Sequence, residues 1–180
     1  MSKNIELKKK KILVLGLEKS GKTSIVLNFI GKVNLSNYIT LNKYKSPNIN
    51  VLETDDLIFN IWDFCGKEVK RNEFLTNFEE YIINTEEIFY VIDIQDLKSY
   101  ELTLKFLQEI IEKLKKLKIK VEFTFFLHKY DHNLFEKLPS ISIEIIDNLI
   151  AKIREIVPSE DFHEIFKTTI YTVLDKIHVY

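Results

Sequence analysis

The sequence has 180 residues, 46% of them apolar and 29% charged, with a formal net charge of −1. That length suits a single domain spanning 1–180 with a substantial core, and the charge balance argues against a polyanion-binding surface, so no nucleic-acid partner is expected. One cysteine, Cys65, excludes an intrachain disulfide and fits a reducing compartment; no apolar stretch is long enough to cross a bilayer and the N-terminus lacks a signal peptide's shape, so a cytoplasmic location is expected.

In chain order, the run Lys8-Lys9-Lys10-Lys11 reads as the solvated entry to a strand, Ile12-Leu13-Val14-Leu15. Gly16-Leu17-Glu18-Lys19-Ser20-Gly21-Lys22-Thr23 follows, with the spacing G-x-x-x-x-G-K-[ST] of a phosphate-binding loop. A helix is expected from Lys22, with Gly31 placed as its C-cap. Residues 32–49 show no clean period and are rich in turn formers, so they read as a long functional connection. Asn50–Thr54 and Leu57–Trp62 read as a hairpin around Asp55-Asp56, the second strand buried on both faces and ending at Asp63-Phe64-Cys65-Gly66. Residues 67–84 read as a loop with one irregular helix. Ile88–Ile92 is a core strand ending at Asp93, and Leu102–Leu117 carries an apolar face at helical spacing. Val121–Leu127 is a further core strand closing on His128-Lys129-Tyr130-Asp131. Pro139-Ser140 introduces a second amphipathic helix, and Ile165-Phe166 is a short last strand before Thr168-Thr169-Ile170. Strands alternating with amphipathic helices predict an α/β fold, a mostly parallel sheet of about six strands with helices on both faces.

The chemistry follows from residue types. Gly16 and Gly21 allow successive backbone N–H groups to turn inward around an anion. Lys22 can reach terminal phosphate oxygens, and the Thr23 hydroxyl can ligate the magnesium ion that travels with a nucleoside triphosphate. Glu18, Lys19, Ser20 and Ser24 belong to the same loop and helix start. Asp63 is suited to hold the metal, directly or through water, and Gly66 to offer an N–H to the terminal phosphate. Lys129 and Asp131 follow a core strand, where an aspartate accepting from a ring N–H and an exocyclic amine selects guanine. Thr168 and Thr169 are placed to offer a backbone N–H to the same base. All these segments fall at the carboxyl ends of strands, where open α/β sheets bind ligands.

Five ordered segments carry a resemblance: Gly16–Thr23, Phe59–Gly66, Tyr90–Asp93, Phe126–Asp131 and Thr168–Tyr171. The chain resembles the Ras superfamily of small GTPases, and within it the Rag family, especially the C/D-type Rags. His128, where most small GTPases carry Asn, is a Rag-like feature; Arf-type GTPases share Trp62-Asp63 and are the nearest competing relatives. The resemblance implies a P-loop small G domain that binds GTP or GDP with Mg2+. Lys22 and the loop amides would hold phosphates; Thr23, Asp63 and a first-switch threonine, for which Thr40 is the candidate, would manage magnesium. His128, Lys129, Asp131 and the segment Thr168-Thr169-Ile170 would hold guanine. Effectors and regulators would meet residues 36–50 and 64–80, and a G-domain dimer is a further option.

Three departures qualify that expectation. Lys67 stands where these families usually place the glutamine that orients the attacking water, so GTP hydrolysis is expected to be slow. Glu18 stands where Ras-type members carry glycine and would crowd an inserted arginine finger. The sequence stops soon after Tyr171, so the dimerisation domain that follows in Rag proteins is not expected, and Ser2 and His178-Val179-Tyr180 match neither common lipid-anchor signal. Three readings remain open: a GTP/GDP switch, a hydrolysis-deficient GTPase-like binding module acting as a constitutive partner surface, and a P-loop nucleotide kinase or ATPase.

Overall fold

Parallel neighbours in a sheet need a crossover of a dozen or more residues, and this chain supplies helices at the right intervals to make them. The structure, a computed structural model, describes residues 7–31 and 46–170. Within these, β1 (Lys8–Leu15) leads to α1 (Lys22–Phe29), and β2 (Asn48–Glu53) and β3 (Leu57–Asp63) form the expected hairpin. After α2 (Glu68–Thr76) and α3 (Phe78–Ile82) come β4 (Thr85–Asp93) and α4 (Tyr100–Leu117). Then follow β5 (Glu122–His128), the single turn α5 (Leu134–Lys137), α6 (Ile143–Ile156) and β6 (Phe162–Thr168). The sheet order is β2-β3-β1-β4-β5-β6, with β2 antiparallel to β3 and every other pair parallel. The mostly parallel six-stranded architecture expected from the sequence is the one observed.

Helices cover both faces. On one, Leu13, Leu15, Tyr90 and Phe125 pack beneath Phe74, Phe78, Phe106, Ile110, Ile146 and Leu149 from four helices. On the other, Ile25 and Val26 of α1 close over Ile12, Val14, Ile61, Phe89, Val91 and Phe126. Helix ends follow their local chemistry. The N–H of Ile30 bonds the Val26 carbonyl at 3.0 Å, and Gly31 turns the chain out of α1 at φ 68°. Ser142 accepts from the Ile145 N–H at 3.2 Å and caps α6, two residues later than Pro139-Ser140 had suggested.

Residues 67–84 depart from expectation, being two helices parted at Asn77 rather than one irregular helix in a loop. Their aromatics are core. Phe74 and Phe78 meet edge to face at 5.5 Å, and Phe64 meets Phe74 and Tyr81 at 4.9 and 5.1 Å. β3 is less enclosed than expected, with Leu57 to Asn60 only half-buried. β6 runs two to three residues further each way, because an edge strand can expose His163, Glu164 and Lys167 on its open side.

The lysine run is a correction too. All four residues belong to β1, and only Lys8 and Lys9 are solvated. Lys10 pairs with the buried Glu87 at 2.7 Å, and Glu87 also accepts from the Thr124 hydroxyl. Lys11 donates to the carbonyls of Tyr81 and Ile83 at 2.7 and 2.9 Å and lies 4.1 Å above the Trp62 ring. Burial lowers its pKa. Removing Lys10 would strand a carboxylate inside the sheet, whereas Lys8 only meets Glu86 at the surface, 3.5 Å away. Urea unfolding should therefore show Lys10→Met costing about 2–3 kcal/mol and Lys8→Met under about 0.5 kcal/mol. Equal losses would mean the Lys10–Glu87 pair has no special weight.

Candidate functional site

Because β1, β3, β4, β5 and β6 run the same way, their carboxyl ends open onto one edge of the sheet. A cleft of about 810 Å³ lies there. Its lining includes Glu18, Lys19, Gly21, Lys22, Thr23 and Ser24 from the first loop, and Asp63, Gly66 and Lys67 from the second. His128, Lys129, Asp131 and Ile170 line the far end. Thus four of the expected segments meet at one place. Thr40 lies outside the described residues, as does most of the expected first switch.

The first loop is shaped by close backbone approaches. Gly16 has φ 143°, and a Cβ there would stand 2.2 Å from the Val91 carbonyl oxygen. Gly21, at φ 96°, begins α1 without a side-chain cap, so the first-turn amides of that helix face the cleft mouth. Within the loop the Lys22 ammonium donates to the Leu17 carbonyl at 2.6 Å. Lys22 is almost wholly buried, and desolvation lowers its pKa to about 8 despite the attraction of Asp63. Ser20 does not line the cleft; its hydroxyl is buried beneath the loop and has no hydrogen-bond partner among the described residues.

The second loop presses on the first. A Cβ on Gly66 would fall 2.3 Å from the carbonyl carbon of Leu17 and 2.4 Å from the Glu18 nitrogen, so only glycine fits. Arg71, from the first turn of α2, donates to the Gly66 carbonyl at 2.6 Å and fixes that peptide. Lys67 is exposed at the N-terminal end of α2 and faces the cleft. Asp63 accepts from the Thr23 hydroxyl at 2.6 Å, and burial raises its pKa. Among the described residues no cluster of three or more His, Cys, Asp or Glu side chains forms a metal cage. Two adjacent hard oxygen donors at the start of α1 and the end of β3 fit Mg2+, which takes few protein ligands and completes its shell with phosphate and water. The Cys65 N–H donates to Ser46 Oγ at 3.0 Å, joining the second loop to the chain entering β2.

At the far end, His128 bridges two loops. Its ring packs against Gly21, where a Cβ would collide with Cδ2 at 2.1 Å, and Nδ1 is hydrogen-bonded with Thr168 Oγ1 at 3.0 Å. Desolvation first, then the neighbouring Lys129 ammonium, pushes its pKa down to about 4, so the ring is neutral. Lys129 takes a left-handed conformation at φ 63° and its ammonium pairs with Asp93. Asp131 accepts from Thr169 Oγ1 at 2.7 Å and from Gln95 Nε2 at 2.8 Å. Thr168 and Thr169 therefore brace His128 and Asp131 from behind, while Ile170 lines the cleft. Sequence reasoning missed Gln95, Arg71 and Lys70, which reach this edge only through folding. Asp93 had a visible signal: like Asp63, it ends a buried strand.

Comparison with protein families matches residues 11–174 to the Gtr1/RagA G protein conserved region. The chain belongs to the Gtr1/RagA family of small GTPases. Among curated relatives of this Rag-type chain, Ras-related GTP-binding protein A of Dictyostelium discoideum is 32% identical over 104 residues, covering 52% of this chain and 34% of that protein. ADP-ribosylation factor-like protein 5 of Caenorhabditis elegans is 34% identical over 89 residues, covering 49% and 46%. These matches span half or less of the relatives' length. A solved structure of the Arl6 BBS3 small GTPase from Trypanosoma brucei aligns over 90% of this chain and 87% of its own, with a TM-score of 0.63 at 21% identity, a likeness in fold.

The neutral His128 of this Rag-family chain makes stability depend on pH. Its folded pKa lies below the unfolded value of 6.5, so its contribution is complete above pH 6.5 and is lost as pH falls toward 4. The loss should approach roughly 3 kcal/mol at about 1.4 kcal/mol per unit. Unfolding free energies of the wild type and His128→Asn, measured from pH 7 to 4, should converge toward acid; parallel curves would show that His128 is not held neutral.

Proposed function

We propose that this protein is a guanine-nucleotide switch that holds GTP or GDP with Mg2+ in the cleft and hydrolyses GTP slowly. The observation that carries the reading is the meeting of phosphate-loop, Asp63–Gly66, His128–Asp131 and Ile170 segments around one cleft. The names of its relatives point the same way. One is a Ras-related GTP-binding protein, and the solved Arl6 structure carries the nucleotide analogue GppNp.

In this reading Lys22 leaves the Leu17 carbonyl for phosphate oxygens, together with the amides of Glu18 to Ser24. Thr23 and Asp63 hold magnesium, which neutralises phosphate charge when bound, and Thr40 joins them as the first-switch threonine. Gly66 presents its N–H to the terminal phosphate. Asp131 takes the N–H edge of guanine, Lys129 packs along the base, and the Ile170 amide meets its carbonyl. Lys67 supplies an ammonium that attracts phosphate but, having donors only, cannot accept the hydrogen bond by which a glutamine carbonyl orients the attacking water, which is why turnover is slow. Partners engage residues 36–50 and 64–80, where Ile49 on β2 and Val69 on α2 expose apolar side chains, with Val51 exposed just beyond the first stretch. A G-domain dimer and a cytoplasmic location belong to the same proposal, with 1–180 as one G domain. The second reading, a hydrolysis-deficient binding module, is favoured by Lys67 alone.

The nucleotide that co-purifies with the protein, with its phosphate count, is the most direct test; GDP or GTP is expected. Folded protein that binds neither in the presence of magnesium would end the proposal. Lys22→Ala should weaken GTP binding about 100-fold, the loss of a charge-assisted contact of roughly 3 kcal/mol. Phosphate release followed for hours should exceed that of Lys22→Ala and rise at least about tenfold in Lys67→Gln; release equal to Lys22→Ala would leave the binding-module reading. Asp131→Asn should move preference from guanine to xanthine nucleotides. Equal affinity for ATP and GTP in the wild type would favour the kinase or ATPase reading instead.

A further inference from the structure

The turn that follows β4 holds the turn that follows β5. Asp93 acts with both carboxylate oxygens: Oδ1 accepts from the Gln95 N–H at 2.9 Å, and Oδ2 accepts from the Lys129 ammonium. The Ile94 N–H adds a bond to the His128 carbonyl at 3.2 Å. Held at its backbone, Gln95 reaches across with one amide nitrogen. Nε2 donates to the Lys129 carbonyl and to Asp131 Oδ2, both at 2.8 Å. The orientation of this amide is fixed by chemistry. Both partners are acceptors only, so the flipped amide would set oxygen against two oxygens.

Asp131 is thus gripped from two sides, by Gln95 on Oδ2 and by Thr169 on Oδ1. A carboxylate turns easily about its last torsion, where rotamer preferences are broad. One donor on each oxygen stops that rotation and leaves each oxygen a second lone pair for a ligand in the cleft. A ligand presenting two parallel N–H groups then meets an acceptor already in place, without an ordering cost.

We propose that Gln95 is a positioning residue for base selection: by holding the Asp131 carboxylate and the Lys129 carbonyl, its amide sets how strictly the site requires a purine with both a ring N–H and an exocyclic 2-amino group. This rests on the guanine reading above. Glutamate cannot substitute, since it brings a third carboxylate to two acceptors; leucine keeps the bulk and removes the donor.

The test compares GDP with inosine diphosphate, which lacks only the 2-amino group, by titrating the nucleotide-stripped full chain. Wild type should prefer GDP. In Gln95→Leu and in Gln95→Glu that preference should shrink about tenfold, the worth of one well-placed hydrogen bond. Adding Gln95→Leu to Asp131→Ala should change it no further. If both Gln95 variants weaken the two diphosphates by one common factor, or leave the preference intact, Gln95 braces the fold only and the inference is overturned. If Gln95→Leu does not fold, Gln95→Glu decides alone. Wild type that binds neither diphosphate removes the guanine reading itself, whereas wild type that selects GDP alongside unmoved variants removes only Gln95.

Discussion

The constraint on which this structure rests is contact between main chains at the sheet edge. Gly66 leaves no room for a Cβ against the Leu17–Glu18 peptide, and Gly16 none against the Val91 carbonyl. At the carboxyl ends of three neighbouring strands, β3, β1 and β4, the loop after β3 therefore meets the loop after β1, and that loop meets β4 itself, at backbone distance. Side chains can change rotamer to relieve crowding, but peptides cannot, so the shape of the cleft is inherited from strand register. Arg71 strengthens this by holding the Gly66 carbonyl from α2, so the second loop is tied to the helix that follows it.

The two ends of the cleft are built on different physics. At the α1 end charge is buried: Lys22 and Asp63 are both almost wholly enclosed, and the desolvation that moves their pKa values in opposite directions is the cost of keeping them ready. At the β5 end the groups are half-exposed and held by a chain of hydrogen bonds from Asp93 through Gln95 to Asp131 and Thr169. Buried charge suits a multiply charged tail, and a directional network suits a flat ring with edges to be read. Membership of the Gtr1/RagA family gives this division a context, with His128 standing at the join.

Much of this was legible in the residues before folding. The glycine spacing of the first loop states its own geometry, because φ values of 143° and 96° are open to little else. The positions of Asp63, Lys129 and Asp131 followed from strand ends, since apolar runs mark where buried strands stop. Gln95 was invisible for the opposite reason: its partners lie 34 and 36 residues away, and nothing local distinguishes it from any surface glutamine. The helices of residues 68–82 were hidden because their polar faces dominate the composition while Phe74 and Phe78 carry the burial. Lys10 and Lys11 were misread with the run they belong to; only the fold reveals that Glu87 and the Tyr81 carbonyl wait for them.

His128 has a mechanical corollary. One uncharged ring is wedged between the start of α1 and the end of β6, touching Gly21 on one side and Thr168 on the other. A displacement at either wall is handed to the opposite one across the width of a single imidazole. Two fragments of a ligand, one occupying each half, would accordingly not bind as strangers: whichever arrived first would already have set the berth for the second.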